Sequence, residues 1–177
     1  MKILVIESSP HKNGSSNLIA SSFTKGAKES GHEVTIFDAG HSKVNPCLAC
    51  DRCGMDGACV QKDDMEKLRN LILSSDMMVL ATPLYYFGFS SQLKLVIDRW
   101  YSFTTALSAK HMKTALIVAA WDSNDWTMED IAHHYRTLCR YMNFQDMGMI
   151  LGKGCGSVSM TKNSGFPEKA YELGRSL

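Results

Sequence analysis

The sequence predicts an α/β fold: a five-stranded parallel sheet in the order 2-1-3-4-5, wound doubly so that helices cover both faces. Three observations predict it. Short apolar runs alternate with segments of helical period along the whole chain, which is the pattern of repeated βαβ units and right-handed crossovers. The first run, Ile3–Ile6, is continuously apolar rather than alternating, as befits a strand covered on both sides. The loops after the strands are rich in Ser, Gly, Asn and aromatic residues, and this topology binds its ligands beyond the carboxyl ends of strands one and three.

Each element follows in order. After Ile3–Ile6 comes the polar loop Ser8–Ser16, then Ile19, Phe23 and Ala27 at helical spacing, with Gly31 where a C-terminal cap belongs. Val34–Phe37 is the second strand, and a cysteine-rich loop spans residues 40–60. Asp63 with Glu66 reads as a capping box before a helix whose apolar face is Met65, Leu68 and Ile72. Met77–Ala81 is the third strand, and Leu93, Val96, Ile97 and Trp100 mark the next helix. Ala115–Ala120 is the fourth strand. Thr127 and Asp130 predict the cap of a helix with core face Ile131, Tyr135, Leu138 and Met142; Met147–Leu151 is the fifth strand, and Pro167 opens a short final helix.

The chain has 177 residues, 45% of them apolar and 21% charged. That length suits one domain over 1–177, able to bury about 70% of its unfolded surface without staples. The formal charge is +1 and no Lys/Arg run occurs, so nothing favours nucleic acid or an anionic membrane as a partner. The longest apolar stretch, near Thr114–Trp121, is far short of the roughly 20 residues of a membrane span. The first residues read as a strand rather than a signal peptide, and a cytoplasmic location is the expectation.

Three loops carry the candidate site: Ser8–Asn17, Thr82–Ser91 and Trp121–Asp125. The first clusters hydroxyl and amide side chains around Gly14 at a helix start, where exposed N–H groups make a phosphate cradle. It matches neither Gly-x-Gly-x-x-Gly nor a P-loop, so from residue chemistry alone a capped polar connector stands beside the cradle. The second loop packs Tyr85, Tyr86, Phe87 and Phe89 after a strand end. A flat apolar ligand would cover them, and so would the core or a second copy. Pro83 stiffens this turn and Gly88 allows close backbone approach.

Strand-Ser9-Pro10-x-x-x-Gly14-x-Ser16-Asn17-Leu18 resembles the phosphate loop of the NAD(P)H-dependent FMN reductases of the flavodoxin-like superfamily. Ala81-Thr82-Pro83-Leu84-Tyr85-Tyr86-Phe87-Gly88, followed by Leu93-Lys94 and Ile97-Asp98-Arg99, is similar to their second flavin loop. The resemblance implies a flavodoxin-like fold with FMN on Ser9, His11, Gly14, Ser16, Asn17 and Leu18 and on Pro83, Leu84, Tyr85, Tyr86, Phe87 and Gly88. Backbone N–H groups near Tyr86 and Phe87 would address the ring edge where hydride arrives. Ala120 and Trp121 stand where the family has its third flavin loop. Family members usually carry Arg at the place of His11, and an imidazole is only partly charged at neutral pH, so phosphate binding would lean on hydroxyls and backbone. The family also implies a homodimer or homotetramer, with Trp100, Tyr101 and Phe103 as candidate contact residues.

Four of the six cysteines form the run Cys47-x-x-Cys50-x-x-Cys53-x5-Cys59. Such clustering points to metal or redox chemistry rather than disulfides. The run resembles a bacterial ferredoxin motif with a longer last spacer, and, with Cys59-Val60-x-Lys62-Asp63-Asp64-Met65, the compact motif of the iron–sulfur flavoproteins. A [4Fe-4S] cluster ranks ahead of a vacant thiol loop, and zinc ranks third because its structural sites pair two separated knuckles.

Related chemistries fail on their motifs. No cysteine is followed by Arg in a Cys-x5-Arg pattern, the third strand ends in Ala81-Thr82-Pro83 rather than an acceptor aspartate, and no Gly-x-Ser-x-Gly elbow occurs. The reading is an FMN oxidoreductase in which hydride from NAD(P)H reaches a quinone, flavin, metal or nitroaromatic acceptor, with no side chain nominated as catalytic. Two alternatives stand beside it: an iron–sulfur flavoprotein relaying electrons between ferredoxin and FMN, and a non-enzymatic flavin or thiol redox-sensing module.

Overall fold

The computed structural model describes residues 1–177. Strands β1 (Lys2–Glu7), β2 (Glu33–Asp38), β3 (Met77–Pro83), β4 (Lys113–Ala119) and β5 (Gln145–Gly152) form one sheet in the order β2-β1-β3-β4-β5. Every neighbouring pair is parallel, from Lys2 beside Glu33 to Ala119 beside Gly152. The predicted topology is therefore the observed one. The central strands are apolar on both faces because both faces are covered: β3 and β4 are buried along almost their entire length. β2 is an edge strand and mostly exposed, with Ile36 at 49%, so its apolar run reflects β-propensity more than burial.

Helices α1 (Ser15–Glu29), α6 (Val158–Lys162) and α7 (Phe166–Arg175) lie on one face. Helices α2 (Met65–Ser74), α3 (Ser91–Arg99), α4 (Thr104–Ala109) and α5 (Glu129–Tyr141) lie on the other. Backbones of α1 and α7 approach so closely that a Cβ on Gly26 would fall 2.1 Å from Tyr171 O, and one on Gly174 2.3 Å from Phe23 O. Gly31 ends α1 at φ +83°, and the bonds Gly31 N–H to Lys28 O and His32 N–H to Ala27 O complete a Schellman cap.

Several local expectations change. Thr127 is not a helix cap: it sits in a short 3-10 turn, Asp125–Met128, and its hydroxyl donates to Asp122 Oδ2 at 2.8 Å. The carboxylate upstream captures it before it can turn toward α5. Leu138 is only half-buried. Trp100 and Phe103 do not form a contact surface; both are core residues, and only Tyr101 remains exposed. The last segment holds two helices, since Ser157 caps the unpredicted α6 by accepting the Met160 N–H at 3.2 Å.

Candidate functional site

The carboxyl ends of β1, β3, β4 and β5 open onto one cleft of about 830 Å³, within the usual size of small-ligand sites. A buried polar network sets its floor. Ser8 N–H and Oγ–H both donate to Ala81 O, Ser90 Oγ–H reaches Ser8 Oγ at 2.9 Å, and Ser90 N–H donates to Thr82 Oγ1 at 3.1 Å. Ser90 is also the cap of α3, accepting Leu93 N–H. The ends of β1 and β3 and the start of α3 are thereby fixed together.

The first loop is shaped from within. His11 N–H donates to Ser9 Oγ, Gly14 N–H to His11 O, and Asn17 Nδ2–H to Lys12 O at 3.1 Å. A Cβ on Gly14 would sit 2.8 Å from Ser9 Oγ and 2.9 Å from His11 O, so only glycine fits this turn. The N–H groups of Lys12, Asn13, Ser15, Ser16 and Asn17 find no acceptor inside the protein. A helix start with free donors and no acidic residue in its first turn is chemistry for an anion.

The second loop is a two-residue hairpin: Tyr85 and Gly88 exchange N–H···O bonds, and Tyr86 (φ +45°) and Phe87 (φ +63°) occupy the left-handed region. Non-glycine residues are strained there. Tyr86 is fully exposed, Phe87 packs on Trp126 with ring centroids 5.4 Å apart, and both N–H groups are free. Phe89 instead turns into the core. Gly88 has an ordinary φ and open space, with Tyr85 O 3.9 Å from an added Cβ, so the protein itself requires no close approach there.

The third loop is organised by Asp122. Its carboxylate accepts from Ser123 N–H, Asn124 N–H, Asn124 Nδ2–H and Thr127 Oγ1–H. These bonds, led by the Asn124 side chain, pull its pKa down to about 2. Trp121 is 73% exposed, and its indole lies so flat on the backbone that a Cβ on Gly156 would overlap it at 2.0 Å.

Of the predicted residues, Ser9, His11, Gly14, Ser16, Pro83, Leu84, Tyr85, Ala120 and Trp121 line the cleft. Asn17 and Leu18 face a neighbouring groove with Glu7, Lys12 and Lys162, while Tyr86, Phe87 and Gly88 stand at the tip of the hairpin outside the lining. A fourth loop also belongs to the cleft: Cys155, Gly156, Ser157 and Val158 after β5. Its signal was the glycine-rich run Gly152-Lys153-Gly154-Cys155-Gly156-Ser157 at a strand's carboxyl end. His134, by contrast, packs at a tilt on Phe89 with ring centroids 4.7 Å apart, outside the cleft lining, and burial lowers its pKa.

The cysteine loop lies elsewhere, against α3. Cys47, Cys50, Cys53 and Cys59 all border one small cavity together with Arg99, Tyr101 and Ser102, and all are free thiols. Ala49, Asp51 and Met55 take left-handed φ values of +50°, +55° and +68°, wrapping the chain tightly around these thiols. No three ligating side chains meet at a single-ion site. The donor set fits a cluster better than zinc, because a [4Fe-4S] core takes one thiolate per iron and its ligands need not meet at a point.

A parallel sheet in this order, with a switch-point cleft, a first loop of free N–H donors and an aromatic second loop, defines a flavodoxin-like protein. A family model described as NADPH-dependent FMN reductase matches residues 1–152, and the chain belongs to that family. It is an NAD(P)H-dependent FMN oxidoreductase by class. An iron–sulfur flavoprotein of Archaeoglobus fulgidus is 30% identical over 156 residues, covering 87% of this chain and 69% of that protein. One from Methanosarcina thermophila is 33% identical over 99 residues, 56% of this chain and 52% of its own length; the matched segments thus span 69% and 52% of these two relatives. YwqN of Bacillus subtilis, which carries the name of an NAD(P)H-dependent FMN-containing oxidoreductase, is 26% identical over 165 residues, 87% of this chain and 86% of its own. In fold, the chain superposes on an NAD(P)H:quinone oxidoreductase from Methanothermobacter marburgensis with TM-score 0.78 at 17% identity, covering 99% and 95% of the two chains. An FMN-dependent NADH-azoreductase from Bacillus anthracis in complex with FMN gives 0.70 at 14%, covering 99% and 98%. No helix is long and apolar enough to cross a membrane.

Proposed function

We propose that this chain holds FMN in the switch-point cleft and passes electrons from NAD(P)H to a small acceptor: a quinone, a free flavin, a metal ion or an aromatic nitro compound. The observation that carries the proposal is the first loop, whose unpaired N–H groups at Lys12, Asn13, Ser15 and Ser16 belong to residues that line an open cleft of flavin size. In this reading Ser9, His11, Gly14, Ser16 and Asn17 hold the phosphate, with Leu18 backing the loop. Pro83, Leu84 and Tyr85 wall the ring, and the free N–H groups of Tyr86 and Phe87, next to Gly88, meet its polar edge. Ala120 and Trp121 cover the opposite side. When bound, the flavin supplies the two-electron chemistry; the protein binds, orients and excludes water. A homodimer or homotetramer belongs to the proposal, since the exposed rings of Tyr86, Trp121 and Trp126 leave apolar surface at the cleft mouth. So does a cytoplasmic location.

The test is FMN content after reconstitution, followed by NADPH and NADH oxidation with a soluble quinone. One FMN per chain with quinone-dependent oxidation supports the reading; failure to retain FMN at micromolar concentration overturns it.

One observation favours a second reading, in which the four cysteines hold a [4Fe-4S] cluster that relays electrons between ferredoxin and FMN. All four thiols border a single cavity. Iron and acid-labile sulfide in cluster proportion, on protein purified without oxygen, support it. Absence of both after reconstitution removes it.

A further inference from the structure

Two segments with no obvious connection in sequence, Cys59–Met65 and Ile97–Arg99, meet in a buried ion pair. Arg99 and Asp63 are 2% and 4% exposed at their side chains. Arg99 Nη1 donates to Asp63 Oδ2 at 2.7 Å and to Asn45 O at 3.0 Å, and Nη2 donates to Asp63 Oδ1 at 3.2 Å. Asp63 also accepts from the Asn45 N–H at 2.9 Å. Asn45 lies just before the first cysteine and Asp63 just after the last, so one guanidinium closes the neck of the cysteine loop.

The closure leaves donors over. Arg99 Nε is buried without a partner, and so is Arg69 Nε on α2, whose guanidinium rests on Phe103 at 5.7 Å. Both arginines border one small cavity with Cys59, and the other charged residues lining it are Lys62 and Glu66, which pair with each other at 3.9 Å. Unmet buried N–H groups are costly and call for an acceptor. A [4Fe-4S] core bound by four thiolates is anionic overall, and its sulfurs accept N–H donors.

We propose that Arg99 and Arg69 are positioning residues for a thiolate-bound cluster: Arg99 closes the loop around it, and the spare Nε–H groups of both donate to sulfur at the Cys59 corner. They thereby set how tightly the cluster is held and raise its reduction potential. The proposal rests on the second reading above.

The experiment compares wild type with Arg69→Leu, Arg69→Lys and Arg99→Lys, all reconstituted anaerobically with ferrous iron and sulfide. Retention is measured against a chelator, the potential by a spectroscopic redox titration, and FMN content reports folding. Arg69 is half-exposed, so its variants fold even if those of Arg99 do not. The expected result is a cluster held about ten- to a hundred-fold less tightly against the chelator in Arg69→Leu, as for other outer-shell partners. Its potential shifts negative, and Arg69→Lys recovers part of the shift by restoring charge. Variants matching wild type in retention and potential overturn the arginine proposal and leave the cluster intact. Weaker retention with an unmoved potential also overturns it, because a purely structural role would do that. Wild type that takes up neither iron nor sulfide overturns the proposal and the second reading together.

Discussion

The polar loop after β1 and the cysteine loop after β2 leave neighbouring strands of one sheet, yet they are held in opposite ways. The first is short and shaped by its own backbone: Gly14 turns it, Asn17 ties it to Lys12, and its free N–H groups are left by the geometry of a helix start. The second is long and is shaped by residues outside it. Asp63, Asp64 and Arg99 close its neck, Gln61 Nε2–H ties back to Pro46 O, and Tyr101 Oη–H reaches Asp51. A local site survives most distant changes; a site assembled by a tertiary ion pair inherits the energetics of that pair.

Removing the clamp breaks the comparison most sharply. Asp63→Ala leaves the Arg99 charge buried and unpaired, which costs about 3–5 kcal/mol. Chemical denaturation at neutral pH should show the loss, and the FMN site should persist in what remains folded. The pair also has a pH signature. Burial alone would raise the Asp63 carboxyl, but the Arg99 guanidinium and the Asn45 and Met65 N–H groups outweigh it and hold it low. A lowered folded value means stability present in full above about pH 4 and lost as pH falls below that. The gap between wild type and Asp63→Asn should therefore narrow in acid.

Next in size is the first loop. Gly14→Val places carbon against Ser9 Oγ and His11 O, and FMN affinity should fall by about ten- to a hundred-fold, equivalent to roughly 1.4–3 kcal/mol. Thermal stability without FMN should move far less. Equal losses in both would mean that the loop is as dependent on its surroundings as the cysteine loop.

Asp122→Ala tests the third loop, which lies between the two extremes. With its carboxyl held at about 2 by the Asn124 and Thr127 donors, the aspartate should contribute at neutral pH and lose that contribution between about pH 4 and pH 2. The variant should loosen Trp121 and change its fluorescence, with the difference vanishing below pH 2. The smallest effect is expected at the hairpin tip. Tyr86→Gly should raise stability by about 1 kcal/mol by relieving a left-handed φ, while slowing NAD(P)H turnover. A stability loss instead would assign Tyr86 a packing role that its full exposure does not show.

The fold and three of the loops that line the cleft are legible in the sequence. Strand order and the positions of the first two loops follow from apolar runs and from residues that act within a few positions of themselves; the left-handed hairpin at Tyr86 and Phe87 does not. Features that depend on distant partners are not legible there. Thr127 reads as a cap because hydroxyls cap helices, yet its hydroxyl donates to Asp122 instead. Trp100 and Phe103 read as surface aromatics at a helix end, yet the chain turns through a 3-10 segment there, Trp100–Phe103, and buries them. The loop after β5 stays outside a reading by side-chain chemistry because its glycines carry none of their own.

The sequence by itself determined the class of fold and the chemistry available at each loop. Periodicity and residue type are local properties, and burial on both faces of a parallel sheet writes them plainly into β1, β3 and β4. Only the tertiary structure decided that Asp63 and Arg99 pair across the neck of the cysteine loop, that all four thiols border one cavity, and that Trp121 lies flat on Gly156. Those are contacts between residues far apart in the chain. Their energies depend on desolvation and on the distances that packing sets, which no pattern along the sequence encodes.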